Sequence, residues 1–204
     1  MIGRLHVLTD FYFQQRFTHA ELARLAAAGG ADTVQFRQKT GTLRNVSVEA
    51  ERTLEACQDA GIPLLIDDHV DLAAGLGCAG VHVGQDDLPV ALARRVLGPD
   101  GIVGATASSL AEAVAAEQAG ASYIGFGPVY ATRSKANPKS VKGLSGLRAV
   151  CKAVSIPVIA IAGITAERIP AVLEAGAHGV AVMTAVSLAP DPARAVADLL
   201  DRFN

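Results

Sequence analysis

Apolar and polar positions follow one pattern that repeats eight times along the chain: a short run rich in Val, Ile and Leu, a polar or glycine-containing turn, and an Ala/Leu-rich segment with helical spacing. The short runs predict strands at 5–10, 32–38, 62–68, 79–84, 101–107, 122–128, 156–163 and 178–184. The segments between them predict helices at about 18–29, 43–60, 70–77, 89–97, 109–120, 144–154, 165–175 and 191–203. Several of these segments end in Gly, which commonly closes a helix in the left-handed conformation.

The order of these elements predicts the fold class. Apolar strands that alternate with helices form a parallel sheet covered by helices. Eight such units are expected to close into a single (β/α)8 TIM barrel of the α/β class, spanning residues 1–204. An open, doubly wound sheet is the alternative, but no GxGxxG motif follows the first predicted strand.

Composition and charge restrict the classes of function. A formal net charge of −2 gives no general attraction to nucleic acid or anionic lipid, and 4% aromatic residues without Trp offer few surfaces for base stacking. No apolar run reaches the roughly 18 residues of a membrane span, and the first residues lack the pattern of a secretion signal. Cys57, Cys78 and Cys151 form no zinc-binding spacing. We therefore expect a cytoplasmic protein with reduced thiols that acts on small molecules, without nucleic-acid or membrane partners.

The second predicted strand ends in three polar residues at alternate positions. Barrel enzymes place their catalytic groups at the carboxyl ends of strands. Side chains at alternate positions of a strand point to the same side, so Gln35, Arg37 and Lys39 are expected to face the barrel interior together. The alternative is an outward, salt-bridged edge, which would place Gln38 in the interior.

Carboxylates follow the third and fourth predicted strands, Asp67 and Asp68 after one and Asp86 and Asp87 after the other. Adjacent loops can bring one carboxylate of each pair together, and close carboxylates repel unless a cation or proton lies between them. Oxygen ligands without a Cys/His set favour Mg2+, which uses one or two carboxylates and takes its other ligands from water and phosphate. The alternative is that these residues cap the following helices. His82 is either a hydrogen-bonded interior residue or a ligand.

The stretch 129–143 has no apolar rhythm and is expected to be a functional loop. Its Thr132, Ser134 and Lys135 suit a diphosphate, because hydroxyls donate hydrogen bonds to phosphate and an ammonium balances its charge. A solvated Ser/Lys loop is the common alternative.

The seventh and eighth strands end in further candidate substrate-binding residues. Loops after these strands in TIM barrels frequently bind phosphate through backbone amides. Gly163 is expected either to allow a phosphate to approach closely or only to shape a turn. Met183 and Thr184 end the eighth strand and are also predicted to contact substrate.

Six motifs, taken in order, resemble the thiamine phosphate synthase family. They are QFRQK (35–39), LLIDDHVDLA (64–73), GVHVGQDDLP (80–89), YIGFGPVYATRSK (123–135), IPVIAIAGI (156–164) and AGAHGVAV (175–182). GVHVGQDD and IGFGPVYATRSK at this separation are specific signals, whereas the last two motifs occur in many barrels. The similarity extends through nearly the whole chain.

The resemblance implies condensation of hydroxymethylpyrimidine diphosphate with hydroxyethylthiazole phosphate, giving thiamine phosphate and pyrophosphate. In the family reaction the diphosphate leaves first, and the thiazole nitrogen captures the pyrimidine-stabilised carbocation. The matching motifs imply that Gln35, Arg37, Lys39 and Asp67 bind the pyrimidine diphosphate, that Asp68 and Asp87 bind Mg2+, that Thr106, Thr132, Ser134 and Lys135 contact substrate, and that Gly163 binds the thiazole phosphate. Arg37 and Lys135 would be catalytic, because they supply positive charge to the leaving diphosphate.

The chain departs from the family pattern at four places. Ala162 stands where the family usually has Gly, and Asp67 where it has Asn. GATASS replaces the commoner GVSxHS, and YATRSK replaces PTxTK, although Thr106 and Ser134 keep a hydroxyl. Ala162 is expected to crowd a phosphate, and Asp67 to add negative charge beside the metal.

Two other functions stay open at this point. A thiazole tautomerase on the same barrel isomerises thiazole phosphate without joining it to anything. The presence of Asp68, Asp87 and the Thr-x-Ser-Lys loop argues against it, because an isomerase expels no diphosphate. The second alternative is a non-catalytic phosphate-binding barrel, and release of pyrophosphate from the two substrates would distinguish it from a synthase. A homo-oligomer is also left open.

Overall fold

The computed structural model describes residues 2–10, 13–132 and 140–203. Eight parallel strands close in sequence order into a barrel, in which β1 is hydrogen-bonded to both β2 and β8. The strands are β1 Leu5–Thr9, β2 Thr33–Phe36, β3 Leu64–Asp67, β4 Gly80–Val83, β5 Ile102–Ala107, β6 Tyr123–Phe126, β7 Val158–Ile161 and β8 Gly179–Val182. The predicted (β/α)8 barrel is confirmed, and every strand lies within its predicted run.

Helices follow the strands and cover the barrel. They are α1 His19–Ala28, α2 Leu43–Asp59, α3 Val70–Leu76, α4 Val90–Leu97, α5 Leu110–Gln118, α6 Gly143–Ala153, α7 Ile169–Glu174, α8 Thr184–Ser187 and α9 Pro192–Leu200. The predicted helix 165–175 is instead a 3-10 turn, Ala166–Arg168, followed by α7, whose first turn contains Pro170. Proline is tolerated there because the first amides of a helix have no intrahelical partner. The single turn α8 was not predicted.

Alternation along the strands separates two hydrophobic cores. One set of side chains, including Val34 and Phe36 of β2, packs outward against the helices. The opposite set forms a small cluster inside the barrel: Leu8, Leu65, Tyr123, Ile159 and Ala181. This inner cluster fills only part of the barrel and leaves room for a cavity above it. Within the described residues, no helix is both long and apolar enough to cross a membrane.

The turns from helix to strand share one conformation. Gly30, Gly120 and Gly176 occupy matching positions in AAGGADTV, EQAGASYI and LEAGAHGV, with φ of +95°, +95° and +101°. An L-residue with a side chain is strained at such angles, whereas glycine is not. The repeated glycine therefore ends each of these helices so that the next strand can begin.

Candidate active site

A cavity of about 560 Å³ lies at the carboxyl ends of the strands. Its floor is the inner barrel core, including Leu8, Tyr123 and Ile159. Every predicted site residue within the described ranges lines it: Gln35, Arg37, Lys39, Asp67, Asp68, Asp87, Thr106, Thr132, Gly163, Met183 and Thr184. Ser134 and Lys135 lie outside the described residues, and their roles stay predictions.

The Arg37 side chain lies between the carboxylates of Asp10 and Asp67. Its guanidinium forms an ion pair with Asp10, and its Nε lies 3.4 Å from Asp67 Oδ2. The backbone N–H of Arg37 donates to the Thr9 carbonyl at 3.1 Å, so the chain leaving β2 stays beside the end of β1, where Asp10 follows. Asp10 is only 3% exposed, and a buried charge needs a partner. Asp10 therefore fixes Arg37 at the cavity wall, a role that the sequence did not indicate.

Lys39 links the two carboxylates that follow β3. Its Nζ lies 2.8 Å from Asp67 Oδ2 and also forms an ion pair with Asp68. Burial alone would lower the pKa of Lys39, but the two carboxylates outweigh burial and raise that pKa above its usual value. Lys39 is therefore cationic at neutral pH. The charge that Asp67 adds relative to an Asn is balanced by Lys39 and Arg37.

Asp87 approaches these groups from the loop after β4. Its Oδ2 accepts a 2.7 Å hydrogen bond from the Gly84 N–H, which anchors the carboxylate. Burial raises the pKa of Asp87, the Gly84 hydrogen bond opposes this, and the neighbouring Asp68 carboxylate raises the pKa further. The Asp68 carboxylate is thus close enough to destabilise the negative charge of Asp87. A cation between them would relieve this repulsion.

Mg2+ fits the donor set formed by Asp68 and Asp87. Both groups are carboxylates, the ligands that Mg2+ prefers, and the cavity beside them is open to water and substrate. No group of three or more His, Cys, Asp or Glu side chains in the described ranges is arranged to hold a metal. A metal at this pair would therefore complete its shell with water and substrate phosphate.

The structure does not show the helix-capping role considered for Asp67, Asp68, Asp86 and Asp87. The N-cap of α3 is His69 and that of α4 is Pro89, and neither helix has a side-chain hydrogen bond at its cap. The four carboxylates are thus not used to start the following helices. Both Asp68 and Asp87 line the cavity instead, where Asp68 pairs with Lys39 and Asp87 accepts from the Gly84 N–H.

The opposite side of the cavity is formed by the loops after β7 and β8. Ala162 and Gly163 both have positive φ, +82° and +66°. A Cβ on Gly163 would lie 2.6 Å from the Ala131 carbonyl, so only glycine fits there without a shift. Ala162 keeps a conformation that L-residues adopt at a cost of about 1–2 kcal/mol, which explains physically why glycine suits this position. Met183 and Thr184 lie where β8 meets α8.

Arg168 ties this side of the cavity together. Its Nη1 donates to the Gly163 carbonyl at 2.5 Å, and its guanidinium stacks over the Tyr130 ring at 4.4 Å. The Tyr130 N–H in turn donates to the Ala162 carbonyl at 3.2 Å. The start of the loop after β6 is thereby fixed against the loop after β7. The sequence did not single out Arg168 or Tyr130.

A chain of hydrogen-bonded polar side chains forms part of the cavity floor. His82 Nδ1 lies 2.8 Å from the Tyr123 hydroxyl, and His82 Nε2 lies 2.8 Å from Thr106 Oγ1. Gly104 makes room for Tyr123, because a Cβ at Gly104 would lie 2.2 Å from the tyrosine ring. Of the two roles considered for His82, the structure shows the hydrogen-bonded interior residue. Burial raises the pKa of Tyr123 well above its usual value, so the phenol keeps its proton.

Comparisons with known proteins agree with this fold and show the family. A family model described as thiamine monophosphate synthase matches residues 5–186. Thiamine-phosphate synthase of Salinibacter ruber is 61% identical over 196 residues, covering 96% of this chain and 86% of that protein. The same enzyme of Chloroflexus aurantiacus is 42% identical, covering 96% and 90%. The solved thiamine phosphate pyrophosphorylase of Pyrococcus furiosus superposes with a TM-score of 0.88 at 34% identity, covering 98% of this chain and 94% of that one.

Proposed function

We propose that this chain, which belongs to the thiamine monophosphate synthase family and is a transferase, condenses hydroxymethylpyrimidine diphosphate with hydroxyethylthiazole phosphate. The proposed reaction depends on Mg2+. The products are thiamine phosphate and pyrophosphate. The supporting observation is the pair of facing carboxylates, Asp68 and Asp87, beside the cations Arg37 and Lys39 at the cavity wall. Charges of both signs in this arrangement suit a metal-bound diphosphate.

The proposed reaction breaks one bond and forms another without an oxidant or reductant. The C–O bond between the pyrimidine methylene and the diphosphate breaks, and both electrons leave with pyrophosphate. The lone pair of the thiazole nitrogen then forms the new C–N bond to that methylene. This chemistry requires stabilisation of a leaving anion rather than a strong base.

The protein's own residues would contribute position and charge. Arg37 is fixed by Asp10 and Asp67 before substrate binds, so it can meet developing negative charge without reorganisation. Lys39 contributes a second cation at the same wall. Asp68 and Asp87 would hold Mg2+, which when bound neutralises charge on the departing diphosphate. Lys135 is proposed to assist from the loop after β6.

A second substrate requires a second phosphate site, and the opposite side of the cavity offers one. Gly163 allows close approach of a ligand to the backbone, and Met183 and Thr184 line the same side. Binding both rings in one cavity makes the bond-forming step effectively intramolecular. Two sites favour a synthase over a tautomerase, because an isomerase needs to bind only thiazole phosphate.

The decisive experiment supplies the purified protein with both substrates and Mg2+. We expect pyrophosphate and thiamine phosphate to form in equal amounts. Neither should form when EDTA is present from the start. Omission of the thiazole phosphate should prevent thiamine phosphate formation. Isomerisation of thiazole phosphate without pyrophosphate release would instead establish the tautomerase. The cytoplasmic location and a homo-oligomeric state stay predictions, as does the absence of nucleic-acid partners.

A further inference from the structure

The polar chain on the cavity floor has two ends in different environments. The Tyr123 end is 2% exposed and enclosed by the barrel. The Thr106 end is half-buried and lines the cavity. His82 stands between them, with one ring nitrogen 2.8 Å from each hydroxyl. The direction in which the protons point along this chain therefore decides whether the Thr106 hydroxyl donates to His82 or directs its proton into the cavity.

The buried end fixes that direction. Among the described residues, His82 Nδ1 is the one hydrogen-bond partner of the Tyr123 hydroxyl. A buried O–H donor needs an acceptor, so the phenol donates to Nδ1, and Nδ1 must present a lone pair. The neutral ring then holds its proton on Nε2 and donates it to Thr106 Oγ1. The reverse direction would leave the phenol proton without an acceptor, and this disfavours it by about tenfold or more.

We propose that Tyr123 and His82 are positioning residues that turn the Thr106 hydroxyl into a hydrogen-bond donor aimed at the bound substrate. Because Thr106 Oγ1 accepts from Nε2–H, its own proton is directed away from His82. Among the described residues, His82 is the one hydrogen-bond partner of the Thr106 hydroxyl, and the Thr106 carbonyl accepts from Gln85 Nε2 at 2.6 Å. The hydroxyl proton is thus presented to an acceptor in the cavity, a lone pair on a substrate ring nitrogen or phosphate oxygen.

The proton direction can be measured without any assay of activity. The chain has five histidines, so long-range 1H–15N spectra of protein labelled with 15N-histidine at pH 8 will contain few signals. The signal missing from His82→Gln identifies His82. We expect Nδ1 of His82 to be unprotonated and Nε2 to be protonated. Tyr123→Phe keeps the ring that packs on Gly104 and removes only the hydroxyl, so it should shift His82 toward a mixture of tautomers. A wild-type protein with the proton on Nδ1 would overturn the proposal.

The consequence for substrate recognition rests on the proposed function and is tested separately. Thr106→Val keeps the shape of the side chain and removes the donor, and it should lower kcat/KM by about tenfold for the substrate that accepts the hydrogen bond. Tyr123→Phe should have an effect of the same direction, and Thr106→Ser should stay within about threefold of the wild type. Measuring kcat/KM for each substrate identifies which one has the acceptor. If the wild type is active and Thr106→Val is unaffected, the inference is refuted. If the wild type is inactive, the proposed function is refuted, and the tautomer measurement alone decides the inference.

Discussion

Asp87 Oδ2 and the Gly84 N–H are joined by a 2.7 Å hydrogen bond across the turn that follows β4. This bond holds the carboxylate in place even though burial and the Asp68 carboxylate both raise its pKa. Such a carboxylate would already be in place for a bound cation. Its position therefore depends on the turn and not on the metal.

Asp87→Asn tests the proposed metal site. The amide oxygen can still accept from Gly84, so the turn should survive, while the negative charge is lost. We expect turnover to fall by roughly 10²–10³, the range for loss of one preorganised electrostatic group. The dependence of the remaining rate on Mg2+ concentration should also shift to higher concentrations. Steady-state kinetics over a Mg2+ titration measures both effects.

The matched control for this variant is Asp71→Asn. Asp71 is an exposed residue in the first turn of α3, so it loses the same charge without facing the cavity. Its kinetics and thermal midpoint should stay close to those of the wild type. Unchanged Mg2+ dependence in Asp87→Asn would contradict the assignment of this carboxylate to the metal.

Two buried histidines should make the fold sensitive to mild acid. Burial lowers the pKa of both His6 and His19 to about 4, from 6.5. Because the unfolded state binds these protons first, protonation favours unfolding, and stability is lost as pH falls below 6.5. Between pH 6.5 and 5 each histidine should cost about 1.5 kcal/mol of the free energy of unfolding. Urea unfolding curves at several pH values measure this slope.

His19→Asn separates the two contributions to acid sensitivity. His19 Nδ1 lies 2.6 Å from Thr9 Oγ1, and an Asn amide can reach the same hydroxyl. The variant should lose about half of the slope between pH 6.5 and 5, whatever its stability at pH 7.5. A slope equal to that of the wild type would show that His19 is not one of the groups responsible.

Ala162→Gly should stabilise the protein. At φ of +82° an alanine is strained by about 1–2 kcal/mol, and the greater entropy of glycine in the unfolded chain removes about 0.4–1 kcal/mol of that gain. A net gain of about 0.5–1 kcal/mol corresponds to a rise of roughly 1–4 °C in Tm for a chain of this size. Ala91→Gly in the exposed face of α4 should have the opposite sign, because glycine destabilises a helix. A lower Tm for Ala162→Gly would show that the strain is absent.

The sequence predicted the barrel because each strand is marked both by its apolar run and by the polar or glycine-containing turn that follows it. Gln35, Arg37 and Lys39 could be placed on the cavity wall because alternate positions of an extended segment face the same side, although β2 itself ends at Phe36. The single turn α8 could not be predicted, since four residues are too few to show helical periodicity.

The contacts that organise the site were hidden from the sequence for a different reason. Asp10 and Arg37 are 27 residues apart, and His82 and Tyr123 are 41 apart. Such pairs are created by strand register, which one sequence does not reveal. The positive φ of Ala162 was hidden as well, because the residue type itself argues against that conformation.

Binding of pyrophosphate with Mg2+ tests the diphosphate site independently of turnover, and the structure decides which cation to remove. A ligand at about 100 times its Kd stabilises the native state by about 2.7 kcal/mol, which corresponds to a rise of roughly 5–10 °C in Tm. Arg37→Ala would remove the ion pair with the buried Asp10, and loss of such a pair destabilises proteins by about 3–5 kcal/mol, so a changed shift would be hard to assign. Lys39 has a side chain that is 44% exposed, so Lys39→Ala should fold with little loss of stability.

We expect Lys39→Ala to show at most half of the wild-type shift with Mg2+ and pyrophosphate. Lys152→Ala, at an exposed position in the last turn of α6, should keep the full shift. Equal shifts in all three proteins would mean that pyrophosphate binds elsewhere, and the absence of any shift in the wild type at millimolar ligand would refute the diphosphate site.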